Sequence, residues 1–269
     1  MSDALTDALG STSGRLAEVL LKKLTKGSGS EELPEDTLRR LNRLVEAPGE
    51  PGRLARIRLA EQLSYLFERA PIWTTNKLLP IFDWSSTDAA DAWESRKYSG
   101  YVGSPELFRL TKKPFLEMFG RSAVPADDLR TYAEWLVAIL IANRSRDDDP
   151  YPLQATEARA ALRKAGADVL SAVAHRLANE MRATSPDEGS KRWRTIVGPV
   201  FKDIWPLDVE LQSNASNFAF VQILTATGDA FPEAAEVIIP FLLIRLLDKA
   251  IETCHCREHG HSRLPNFAS

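Results

Sequence analysis

The sequence predicts an all-α protein of irregular stacked helix pairs, a HEAT-like α-solenoid with few or no strands. Three observations point there. Apolar residues recur at helical spacing in stretch after stretch. Period-two alternation bounded by hairpin turns is missing from the sequence. One helix-start device returns along the 269 residues: a proline, then acidic residues, then an apolar stripe. Proline suits a first helical turn because its missing N–H would have had no partner there, and acids near that end complement the helix dipole.

Taken in order, residues 1–30 are expected to form a loosely ordered lead-in, since a terminus frays unless docked. The polar run KGSGSEE closes it. The helical-repeat domain is expected over 31–253. It opens on Pro34 in LPEDTLRRL, and APGEPG then reads as a turn. In GRLARIRLAEQLSYLFERA, Leu59, Leu63, Leu66 and Ala70 share one helix face. Pro105 and Pro125 start the next helices, in SPELFRL and VPADDLRTY, and the second runs on with Leu129, Trp135, Leu136, Ile139 and Leu140 on its apolar side. The charged, proline-bearing segment NRSRDDDPYP, residues 143–152, is expected to join two lobes. EARAALRKAGADVLSAVAHRLANEM is alanine-rich and favours helix. TSPDEGSKR reads as an exposed loop, and Pro232 starts a helix in FPEAAEVII. Residues 254–269 read as a C-terminal tail.

A charged fraction of 26%, a hydrophobic fraction of 44% and a net charge of −3 describe an ordinary globular chain, without the strongly basic field of many nucleic-acid-binding domains. The N-terminus lacks the order of a signal peptide, and the apolar run Val237–Ile244 is too short for a bilayer. With only two cysteines, Cys254 and Cys256, close together, a disulfide framework is not expected. These features place the chain in the cytoplasm, away from membranes.

The search for chemistry yields no catalytic, cofactor-binding or metal site. No glycine pair has a phosphate-loop spacing, and no GxSxG elbow occurs. His175, the one histidine outside the tail, is expected on a helix surface or in packing. An enzyme using His175 with loop acids is the minor alternative. Asp127 and Asp128 read as helix-start acids, and Asp147, Asp148 and Asp149 as a solvated loop. The segment from Lys191 to Lys202 mixes Arg192 and Arg194 with Trp193, and Trp205 follows. That pattern admits a nucleic-acid-binding reading, while core tryptophans with solvated charges are the plainer one. Cys254, Cys256, His259 and His261 supply four zinc-type ligands, but within eight residues they tie no separate strands of backbone together, so a tail without metal is expected.

Several phrases carry a resemblance. PGRLARIRLAEQLSYLFERAPIWTTNKLLPIFDWSSTDAADAWES, then WRTIVGPVFKDIWPLD and GDAFPEAAEVIIPFL, resemble a bacterial domain of unknown function found C-terminal to sirtuin-like NAD-hydrolysing domains in anti-phage defence proteins. The resemblance runs from about Pro51 to Leu246. It implies a helical module that meets a protein partner or a sirtuin-like effector domain. It carries over no catalytic residue, because the enzyme part has no counterpart positions here, and it implies a separated or shortened gene product, or a fragment. Physically, Trp73, Trp84, Trp93, Phe82 and Phe67 are anchors between helices, Pro71 and Pro80 set angles, and Asp83 is expected to cap a helix near Ser85 or hold the Trp93 indole.

Overall fold

The chain is seen in a computed structural model that describes residues 4–26, 33–146, 148, 150–182 and 185–242. It is all-helical, with no strand among the described residues. The first half holds α1 (Ala4–Gly10), α2 (Thr12–Lys26), α3 (Glu35–Val45), α4 (Gly49–Glu61), α5 (Leu63–Arg69), the single turn α6 (Pro71–Trp73), α7 (Ala89–Arg96), α8 (Pro105–Glu117) and the long α9 (Ala126–Arg144). The second half holds α10 (Ala155–Ala165), α11 (Ala167–Arg182), α12 (Pro186–Arg192), α13 (Gly198–Ile204) and α14 (Asn217–Ala226), with residues 231–242 again helical. Helix α4 packs on α1, α2 and α7, while α11 packs on α9 and α14. A continuous apolar core extends from Ala17 in α2 to Ile238 in the last helical segment.

The proline device works as expected at three starts. Pro34 and Pro125 stand immediately before α3 and α9, and Pro105 opens α8 behind Ser104, whose hydroxyl accepts the Leu107 N–H at 3.2 Å. The lead-in differs from expectation. From Ala4 to Lys26 it is helical, because α1 and α2 carry apolar faces that dock: Ala4 and Ala8 cluster with Leu54 and Ile57, and Ala17, Leu21 and Leu24 enter the main core. Two stretches expected as single helices are each broken. Gln62 leaves helical geometry between α4 and α5, and Gly166, at φ +89, separates α10 from α11.

Two turns widen to π-helix, Thr74–Leu78 and Trp193–Val197. A buried tryptophan precedes the first, Trp73, and opens the second, Trp193, and each leads into a proline, Pro80 or Pro199. A proline ring collides with the carbonyl four residues back, and a wider turn moves that carbonyl away. Both prolines lead to a buried phenylalanine, Phe82 or Phe201. Gly198 allows the second turn: a Cβ there would stand 2.7 Å from the Trp193 carbonyl oxygen and 3.0 Å from its ring.

The segment 143–152 is clasped. Asn143 donates from Nδ2 to the Tyr151 carbonyl at 2.8 Å and accepts the Tyr151 N–H at 3.0 Å, and the Tyr151 hydroxyl donates to the Gly103 carbonyl at 2.9 Å.

Candidate docking surface

The surface begins with a proline. Ala70, which precedes Pro71, is pushed out of helical geometry to φ −149, ψ 66, so α5 stops and the chain restarts as α6. Trp73 then turns inward, donating its indole N–H to Asn42 Oδ1 at 2.7 Å. Successive helical residues point about 100° apart, so anchoring Trp73 turns its neighbour outward. Ile72 is 76% exposed, a large apolar side chain left on a ridge.

A trough lies on either side of it. The one toward α8, about 670 Å3, is lined by Phe67, Pro71, Ile72 and Leu110, with the exposed Glu68 and Glu106 at its edge. The one toward α3, about 370 Å3, is lined by Leu33, Leu38, Ala70 and Trp73, with Arg69 and Lys77 at its edge. Both are lined chiefly by apolar atoms. Their charged edges already hold local pairs outside the lining: Glu106 meets Arg109 at 3.5 Å, and Lys77 meets Glu46 at 2.6 Å. Exposed pairs of this kind are weak and exchange partners readily.

The residues singled out from the sequence do not converge on this surface, apart from Phe67, Ala70, Pro71 and Trp73. Phe82 and Trp93 are buried with ring centroids 5.0 Å apart, and Trp93 meets Tyr132 edge-on at 5.5 Å. The Trp93 indole donates to the Phe82 carbonyl at 3.0 Å rather than to Asp83. Asp83 instead accepts the Ser85 N–H at 2.9 Å and hydroxyl at 2.6 Å, which lowers its carboxyl pKa. Trp84, half-buried, donates to the Pro114 carbonyl at 2.8 Å under the Arg121 guanidinium.

His175 sits half-buried on α11, 6.5 Å from the Phe218 ring, on the side of Glu134 in α9. Glu134 has its carboxyl pKa raised by burial, against the pull of Arg176 and His175. Asp128 is buried and paired with Lys97 at 2.5 Å, so it ties α9 to the end of α7, while Asp127 pairs with Arg130. Burial opposes the charge on Lys97, and Asp128 outweighs it and raises the ammonium pKa. Asp148 accepts from Nε and Nη2 of Arg146, each at 3.0 Å, and Asp147 and Asp149 lie outside the described residues.

Along the Lys191–Lys202 segment, Trp193 and Trp205 are turned into the core, Trp205 stacked on Phe201 at 5.1 Å. Arg192 pairs with Glu180, and Arg194 with Glu233 at 2.7 Å. Among the described residues no group of three or more His, Cys, Asp or Glu is placed to hold a metal ion. Cys254, Cys256, His259 and His261 lie outside them. No described helix is long and apolar enough to cross a membrane.

Arg96 escaped the sequence reading. It is 2% exposed, with no carboxylate against it among the described residues. Its guanidinium donates to Ser99 Oγ at 2.5 Å, Ser64 Oγ at 2.7 Å and the Val102 carbonyl at 3.1 Å, over the Trp135 ring at 5.5 Å. Burial pushes its pKa down to about 10. Gly103, at φ +94, makes room for this arrangement, since a Cβ there would meet Ser64 Oγ at 2.8 Å. Nothing in the sequence flags it, because an arginine at a helix end ordinarily reads as a solvated charge.

No family model matches the chain, and no solved structure matches it. It is 25% identical over 242 residues to the uncharacterised protein y4cA of Sinorhizobium fredii (strain NBRC 101917 / NGR234), covering 87% of this chain. The chain spans about a fifth of the length of that relative, 20%, so the similarity is to one region of a much longer protein.

Proposed function

We propose that the chain is a non-enzymatic helical interaction module, a scaffold of stacked helix pairs in the bacterial cytoplasm, acting beside a sirtuin-like NAD-hydrolysing protein in anti-phage defence. The observation that carries this reading is the Ile72 ridge with an apolar trough on each side. Large exposed apolar surface bounded by charge marks protein interaction sites. The pairwise packing of α2 on α4, α9 on α11 and α11 on α14 supports the stacked-pair description. The defence setting rests on the resemblance of the Pro51 to Leu246 region. The nucleic-acid reading has less support, since the tryptophans of the Lys191–Lys202 region face the core and its two arginines are paired.

The test is co-expression of the chain with a sirtuin-like NAD-hydrolysing protein from the same genome. Co-purification and phage protection that Ile72→Asp abolishes, at equal protein level and unchanged melting temperature, support the reading. NAD turnover by the purified chain alone, or protection indifferent to Ile72→Asp, overturns it.

A further inference from the structure

We propose that the occupant of the Ile72 surface is a second copy of this chain, docked about a two-fold axis. This rests on the interaction-module reading and names the partner. The two troughs meet at Pro71, Ile72 and Asn76, which line both, while Glu68 and Glu106 line the α8-side one and Arg69 and Lys77 the α3-side one. That profile is self-complementary. When a rotated copy lowers its Ile72 ridge into the α8-side trough, symmetry places the first copy's ridge in the matching trough of the second, as an isologous interface requires.

The same rotation decides the charges. The acidic edge of each copy then comes over the α3-side trough of the other, against Arg69 and Lys77. Two apolar ridges lie side by side at the centre, and two opposite-charge contacts flank them. Seating the ridges in the α3-side troughs instead gives the same pairing of edges. Had both edges carried one sign, either arrangement would have set like charges together. Glu106 and Lys77 already meet Arg109 and Glu46 within the chain, and docking exchanges these weak exposed pairs for the ones across the interface. Apolar burial supplies the attraction in this arrangement, and charge sets orientation and excludes wrong registers.

Sedimentation equilibrium of the full chain tests this. The wild-type mass is expected to double from 29.9 kDa at micromolar concentration, and Ile72→Asp to remain at 29.9 kDa with unchanged helical circular dichroism. The variant Glu68→Lys/Glu106→Lys and the variant Arg69→Glu/Lys77→Glu are each expected to be monomeric alone and to form a heterodimer when mixed. If Arg69→Glu disturbs its half-buried side chain, Lys77→Glu alone replaces it, with a smaller loss expected. A wild-type monomer throughout the range, an Ile72→Asp dimer, or failure of the mixed variants to associate overturns the proposal. A monomeric wild-type chain that still co-purifies with the NAD-hydrolysing protein through Ile72 sinks the dimer alone and leaves the interaction-module reading standing.

Discussion

At Arg96 a full charge is held by two hydroxyls, one carbonyl and an indole face, with no counter-ion among the described residues. Removing the side chain takes away its packed stem and leaves the part-buried Val102 carbonyl and the buried Ser64 hydroxyl without that donor. Arg96→Ala is therefore expected to lower unfolding free energy by about 2–4 kcal/mol. Arg96→Met, which keeps the stem and spares the cost of burying charge, is expected to recover part of that loss. Urea unfolding of the two variants checks the order. Glu157 gives a pH signature. Burial raises its carboxyl pKa, but Lys112 at 2.6 Å and the Gln154 N–H at 2.9 Å outweigh that and leave it lowered. A depressed carboxyl contributes stability that is fully present above the unfolded value, about 4.3, and is lost as pH falls through the folded one. The melting-temperature gap between wild type and Glu157→Gln should accordingly be widest near neutral pH and close below about pH 4.

Among the elements, the two π turns depend on their tryptophan and proline neighbours. Gly198→Ala would drive a methyl into the Trp193 carbonyl at 2.7 Å, so the turn must shift or the indole must move. The expected cost is about 1–3 kcal/mol, read by thermal unfolding together with a change in tryptophan fluorescence. A control at Gly10, where a Cβ meets nothing within 4 Å, should show no such penalty. The helix starts at Pro34, Pro105 and Pro125 were legible because a proline there acts through its own ring and its own missing N–H. The break at Gln62 was not legible: the stripe Leu59, Leu63, Leu66 fits an unbroken helix, and tertiary packing sets the interruption. The exposure of Ile72 was equally hidden. Its sequence neighbours name an anchor region, and only the Trp73–Asn42 bond, across 31 residues, decides which side chain faces out.

For the molecule as a whole, composition and periodicity disclosed the helical class, since both are sums over many residues. The docking surface was out of reach because it joins α3, α5, α6 and α8, whose proximity is set by the core rather than by local pattern. The lead-in misled for a related reason: its polar, glycine-bearing surroundings suggest fraying, while its alanines and leucines find a surface on α4 and in the main core that no local window contains. The core itself passes without interruption from the first half of the chain to the second. Segment 143–152 crosses between them on the outside, fastened by Asn143 and Tyr151. Asn143 and Tyr151 thus join the two ends of the segment to each other through side-chain hydrogen bonds. Two separately translated pieces, ending at Arg146 and beginning at Asp148, should find each other and elute as one particle, and Tyr151→Phe should weaken that reunion by severing the tie to Gly103.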